Sequence, residues 1–414
     1  MDVSDGLPLA RRRLVMSCAV LGVVLAGLDS AIANIALPTI ARDLAATDAA
    51  TIWVVNSYQL AVTICLLPAA ALGEIWGLKR IYGLGLIIFT VASLTCALSP
   101  TLPVLVASRL LQGVGGACMA ALGGALVRTI FPRTLLGRGY ALIALSVALA
   151  AAAGPSLAAL ILSVAHWPWL FLVNVPVGAI AIPLFIKVAP AGERRARPFD
   201  WIGTAINAAA FGLIVTGVDG LGGNARGLAL IELAVGLVFG AILFRQQSRQ
   251  PSPMLPLDLL RIRLFALSMA TSVCSYSAQI LAYVSLPFLF QAVMHRSAVA
   301  TGLLVTPWPL LVAVAAPIAG RLSDRYPAAI LGSIGLAILA SGLLLLATMS
   351  AAPADWDVVW RMAICGIGFG FYQTPNNITL MTAGPPARNS AASAMVAVAR
   401  TVGWSLGSAI VALI

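Results

Sequence analysis

Residues 14–37 read LVMSCAVLGVVLAGLDSAIANIAL, preceded by Arg11-Arg12-Arg13. An apolar run of this length spans the roughly 30 Å hydrocarbon core of a bilayer as a helix. The basic cluster, the run and Ala31-Ile32-Ala33 also resemble a cleavable export signal. The length of the run, its internal Asp29 and the apolar segments behind it favour an uncleaved first span. Composition agrees, because 61% of the 414 residues are apolar and 9% charged, against about 45–50% and 25% in soluble domains. The 37 glycines and 24 prolines are dispersed through apolar runs, which excludes disordered and collagen-like chains.

Working outward, thirteen such runs are predicted: 14–37, 51–72, 81–99, 103–127, 138–162, 168–187, 201–218, 228–244, 264–290, 299–320, 328–348, 357–382 and 390–414. They leave room for loops and none for a soluble domain. Of the 25 lysines and arginines, nineteen fall in one alternating set of loops, and four (Arg42, Arg226, Arg296, Arg361) in the other. The positive-inside bias therefore predicts a cytoplasmic N-terminus in a multi-pass inner-membrane protein. The net charge of +11 is dispersed over many short loops, so nucleic acid is not an expected partner.

An internal repeat orders the spans. Ala70-Ala71-Leu72-Gly73-Glu74 closes the second span and Gly320-Arg321-Leu322-Ser323-Asp324 the tenth, both reading small-x-Leu-small-acid. The expected fold is all-α, with two pseudo-repeated bundles: six helices over 14–188, linkers over 189–263 that hold an inserted transmembrane hairpin at about 201–244, and a second bundle over 264–414. A second half matching the first needs one further span beyond residue 414, so the chain is expected to stop one helix short.

Charges inside the hydrocarbon are expensive and mark function by default. Asp29 lies about 22 Å up the first span, and Arg109 about 9 Å down the fourth. In a core about 30 Å thick these depths coincide, so the two can pair. A carboxyl that alternates between an arginine and a proton is a coupling device, whereas a permanent ion pair would only tether two helices. Arg400 lies about 15 Å into the last span, where a substrate anion, helix carbonyls, Asp29 or water could satisfy it. Glu232 reads as headgroup snorkelling. Asn34, Asn56, Tyr58, Gln59, Tyr276, Gln279, Tyr283, Trp308, Gln373, Asn376 and Asn377 are cavity candidates or interhelical glue. The six cysteines lie inside spans without paired spacing and both histidines in loops. They read as packing residues and imply no disulfide or metal. Gly113, Gly115, Gly116 and Gly154-Pro155 permit close helix approach and a local bend.

These motifs resemble the major facilitator superfamily, and within it the fourteen-span drug:proton antiporters of the EmrB/QacA type. Leu28-Asp29-Ser30-Ala31-Ile32-Ala33-Asn34-Ile35-Ala36-Leu37-Pro38 is close to the first-span signature. Arg109-Leu110-Leu111-Gln112-Gly113-Val114-Gly115 matches the fourth-span Arg-x-x-Gln-Gly-x-Gly motif, and Trp167 to Gly178 the start of the sixth span. The resemblance implies proton transfer at Asp29 and Arg109, and packing roles for Gln112, Gly113, Gly115, Gly154 and Pro155. It also implies a gating latch from Glu74, Gly77, Lys79 and Arg80 with Asp324 and Arg325, and a hairpin peripheral to the cavity. Ala70, Ile75 and Leu78 depart from the gating motif, Pro327 replaces the glycine of its second copy, and Ala150, Ala158 and Ala159 replace glycines of the antiporter motif.

The expected function is proton-coupled multidrug export of lipophilic, cationic compounds by alternating access, in a monomer that uses the proton gradient and no cofactor. Its partners are the small-molecule substrate, protons and lipid. The alternatives are export of an amphipathic anion, lipid or metabolite read by Arg400, or a transporter-like sensor. Enzyme chemistry is not expected, because zinc-protease and phosphate-loop motifs are missing from the sequence.

Overall fold

Only structures that close their backbone hydrogen bonds internally are tolerated in lipid. In the computed structural model the chain is accordingly helical, with no strand among the described residues. The structure describes residues 6–132, 135–190, 199–221, 226–248, 257–323, 325–350, 353–384 and 389–413. Asp324 and the loop residues Arg133, Arg194, Arg195, Arg197, Arg249 and Arg388 lie outside them.

The helices are α1 (Leu9–Asp43), α2 (Asp48–Trp76), α3 (Leu78–Ala97), α4 (Leu102–Ile130), α5 (Leu136–Val164), α6 (Trp169–Val188), α7 (Trp201–Gly220), α8 (Arg226–Gln247), α9 (Arg263–Val293), α10 (Ala298–Ser323), α11 (Ala328–Ala347), α12 (Asp355–Thr382) and α13 (Asn389–Leu413). Each coincides with one expected span, extended by a few residues at most ends. Among the described residues ten are long and apolar enough to cross a membrane, as a multi-pass membrane protein requires.

Local chemistry sets the turns. The Thr47 hydroxyl accepts the Ala50 amide at 3.2 Å and caps α2. Gly77 joins α2 to α3 at φ +97°, a conformation that favours glycine. Pro287 lies near the end of the α-helical part of α9, which continues as a π-helical turn over Leu289–Val293.

Alternating helices bring the N-terminus of α1 and the Lys/Arg-rich connections to one face, here the basic face. In the half away from it, one core joins both bundles. Ile32, Ile35, Leu37 and Ile40 of α1 share it with Phe171 of α6, Ile280 and Phe290 of α9, Trp308 of α10 and Met362 of α12. Three contacts fasten it: Gln291 Nε2 donates to Ile35 O at 2.9 Å, Ser156 and Thr306 hydroxyls meet at 2.8 Å, and Gly302 lies where a Cβ would stand 2.5 Å from Pro155 O. In the basic half each bundle keeps its own core. Val15, Tyr82, Leu122 and Phe185 belong to the first, Phe265, Met269, Leu380 and Met395 to the second. The bundles are therefore joined at one end and separate at the other.

The hairpin α7–α8 lies along the seam between α2 and α13. Val215 packs with Leu60 and Ala409, and Asn207 Nδ2 donates to Ile64 O at 2.9 Å. Beneath it the Thr63 and Ser405 hydroxyls join α2 to α13 at 2.9 Å.

Four cysteines are buried as packing residues, but Cys65 is half-buried and Cys274 exposed. The packing expectation is thus corrected for Cys274, which faces outward from α9. Helical periodicity decides that, since a thiol carries no preference strong enough to turn its helix.

The glycines of α4 allow close approaches to neighbouring backbone in the first bundle. A Cβ on Gly113 would lie 2.6 Å from Tyr58 O of α2, and one on Gly115 2.6 Å from Phe89 N of α3. Gly154 of α5 meets Ala31 of α1 in the same way, at 2.4 Å. Gly123 of α4, about two turns beyond Gly115, has nothing within 4 Å. Gly115→Ala should therefore lower the thermal midpoint of the purified protein, by an overpacking cost of about 1–3 kcal/mol. Gly123→Ala should leave it unchanged or raise it slightly, and thermal unfolding of the two variants in one detergent checks the contrast.

Candidate functional site

Asp29 and Arg109 are 2% and 1% exposed, inside the first bundle. An isolated carboxylate there costs several kcal/mol even after relaxation. Its neighbours share that cost. Arg109 Nη1 donates to Asp29 Oδ2, closing a buried ion pair between α4 and α1. Asp29 Oδ1 accepts Gln112 Nε2 at 2.8 Å and Asn174 Nδ2 of α6 at 3.0 Å. Gln112 Nε2 also reaches Ser93 Oγ of α3 at 2.8 Å, and its Oε1 accepts Arg109 Nη1 at 2.5 Å. Arg109 Nε donates to Val54 O of α2 at 2.9 Å.

The spacing explains the construction. Arg109 and Gln112 are three apart, hence on one face of α4, and the adjacent glycines let that face approach α2 and α3. Tyr58 covers the guanidinium with its ring centroid 4.4 Å from Cζ, and Phe171 lies at 5.5 Å. Five helices thus contribute to one sealed polar site in an otherwise apolar bundle. Ser93 and Asn174 are members that sequence reasoning did not single out. Asn174 carried a signal, as the amide within the Trp167 to Gly178 motif; Ser93 carried none.

The other candidates separate into groups. Asn34 and Gln59 are buried on α1 and α2 of the first bundle, and Asn34 Oδ1 has no hydrogen-bond partner among the described residues. In the second bundle Tyr276 of α9, Phe369 of α12 and Trp404 of α13 form an edge-to-face chain, with centroids 5.5 and 6.1 Å apart. Gln373 Nε2 donates to the Tyr276 hydroxyl at 2.7 Å, and Trp404 Nε1 to Gln279 Oε1 at 3.4 Å. Arg400 lays its guanidinium over Trp404, 5.5 Å from the ring centroid.

Two cavity expectations are corrected. Trp308 is fully buried in the core shared by the bundles, edge-on to Tyr283 at 5.2 Å, because its bulk fills the closed end. Asn376 is turned into α9, donating to Ser272 Oγ at 2.7 Å and Ser268 O at 3.3 Å, so it serves as interhelical glue.

At the basic face Gly77 is buried at its turn, Glu74, Arg80 and Arg325 are exposed and Lys79 is half-buried. Asp324 lies outside the described residues. Pro155 packs under α10 through its carbonyl, beside Gly302.

Comparison with known proteins places this geometry. The sequence profile of the Major Facilitator Superfamily matches residues 19–408. The chain is 49% identical to the uncharacterized transporter YebQ of Escherichia coli K12, over 99% of this chain and 90% of that protein. It is 30% identical to the riboflavin transporter RibZ of Clostridioides difficile 630, covering 96% and 86%. With the multidrug resistance protein Stp of Mycobacterium tuberculosis CDC 1551 it shares 32%, covering 94% and 73%. Among solved structures a D-xylose-proton symporter superposes with a TM-score of 0.69 at 13% identity, covering 97% of this chain and 90% of that one.

The site generates a stability contrast. Removing Arg109 alone leaves a buried carboxylate uncompensated, a loss of about 3–5 kcal/mol, whereas removing both charges does not. Arg109→Met should therefore unfold at markedly lower temperature than Asp29→Leu/Arg109→Met, as thermal unfolding in one detergent will test.

Proposed function

The chain belongs to the major facilitator superfamily, and on that premise we propose that it is a proton-coupled exporter of lipophilic compounds. It works by alternating access in a bacterial cytoplasmic membrane as a monomer of the fourteen-span antiporter type. The observation that carries this reading is Asp29, a carboxylate sealed in the first bundle whose charge rests on Arg109 and two amides.

The positive-inside bias of the loops supports a cytoplasmic location for the separated ends of the bundles, and in this reading the arrangement described above is inward-facing. In it Asp29 is paired with Arg109, and a compound enters between the bundles from the cytoplasm or inner leaflet. Rocking breaks the shared outer core, including the Gln291–Ile35 and Ser156–Thr306 contacts, and closes the basic face. There Glu74, Lys79 and Arg80 meet the second copy of the motif, Asp324 and Arg325. A proton from outside then neutralises Asp29, which releases Arg109 from its partner and makes the return favourable once the compound has left. The proton gradient is the energy source and no cofactor takes part.

The relative named as a multidrug resistance protein supports export of drug-like compounds. The resemblance favours a cation, but the intramembrane carboxylate a cation would seek is committed to Arg109. A second reading, an amphipathic anion or metabolite read by Arg400, is favoured by that residue's position over Trp404.

In proteoliposomes, adding a transported compound should drive proton release in the wild type and none in Asp29→Asn. A lipophilic quaternary ammonium ion and a lipophilic anion assayed in parallel decide the charge. Unchanged proton release in Asp29→Asn would remove the assignment of Asp29.

A further inference from the structure

Among the described residues Arg400 makes no hydrogen bond or ion pair, and its Nε is buried without a partner. The contrast with Arg109, which reaches a carboxylate, an amide and a carbonyl, is one of supply. No carboxylate stands within ion-pair distance of Arg400 among the described residues, and the buried one is taken. A half-buried guanidinium lacking an acceptor carries an uncompensated desolvation cost. Its side chain is nonetheless held in place by stacking over Trp404.

The surroundings specify what would satisfy it. The polar ends of Tyr276 and Trp404 are occupied by Gln373 and Gln279. Tyr276 is itself buried against Phe369, and the half-buried ring open to a ligand is Trp404. The cation therefore stands near the middle of α13, over the half-buried indole of Trp404. A guanidinium fork matches a planar two-oxygen anion, and aromatic faces match a flat ring.

We infer that Arg400, with Trp404, forms the recognition site for a planar aromatic compound bearing a carboxylate. The inference rests on the reading that the gap between the bundles is the transport path, and it assigns the charge that reading leaves divided. An anionic cargo also adds a driving force. An inside-negative potential favours its export by about 2.3 kcal/mol per charge per 100 mV, in addition to the proton gradient.

The test uses the purified full chain in nanodiscs of phosphatidylcholine, which present no net anionic headgroup. Fluorescence anisotropy measures binding of fluorescein, a xanthene carboxylate, and of rhodamine 6G, an esterified cationic xanthene. Fluorescein is expected to bind at least about tenfold more tightly than rhodamine 6G. Arg400→Gln should weaken fluorescein binding about tenfold or more, the usual weight of a charge-assisted hydrogen bond, with Arg400→Lys intermediate.

The comparison of the two dyes on the wild-type protein needs no variant, so it holds if Arg400→Gln fails to fold. Absence of fluorescein binding, tighter binding of rhodamine 6G, or unchanged affinity in a well-folded Arg400→Gln protein overturns the proposal. Displacement of fluorescein by added phosphatidylglycerol would give the site to a lipid headgroup and also overturn it. Binding requires no proton gradient. Loss of substrate-driven proton release with intact fluorescein binding would therefore count against the coupling reading alone.

Discussion

In a medium that offers no water, a carboxylate and a guanidinium are tolerable together and costly apart. The contact between Asp29 and Arg109 fixes α1 against α4 on that ground. Its remaining hydrogen-bonding capacity recruits α2 through Val54 O, α3 through Ser93 and α6 through Asn174. An apolar bundle packed by dispersion alone could settle in several rotational registers. Five helices that must all present a polar atom to one point have far fewer choices.

The glycines act on the same geometry from the backbone side. At Gly113 and Gly115 the facing elements are main-chain atoms of α2 and α3, which do not yield as a flexible side chain would. The first bundle is thereby suited to move as a body. Between the bundles the contacts are of another kind: a shared apolar core at one end, single hydrogen bonds at Gln291 and Ser156, and separate cores at the other. Bonds of that number and strength can be exchanged for an equivalent set at the opposite end.

The legible part of this structure was what bilayer thickness dictates. Thirteen apolar runs became thirteen helices, and counting residues brought Asp29 and Arg109 to one depth before any contact was known. Depth is a property of position along a helix. Facing is a property of rotation about it, and there the reading stopped. Ser93 looks like any small residue of α3, yet it completes the site. Trp308 and Asn376 sit at plausible depths but turn into core and neighbour. Trp404 stands one turn beyond Arg400 on the same face, a spacing visible in the sequence whose meaning needed the rings of α9 and α12.

The bundles meet along two seams, α2 with α13 and α5 with α10, and the pseudo-repeat relates them. The hairpin breaks that equivalence, because α7 lies over the first through Phe211, Val215 and Val218, and among the described residues no helix covers the second in this way. An acyl chain or a membrane-dissolved solute diffusing around the protein therefore encounters two different flanks. One is shielded by a helix that would have to peel away. The other presents small groups at its contact, among them Ala159 and Gly302. Traffic from the leaflet would be one-sided, and the protein has a handedness in the plane of the membrane.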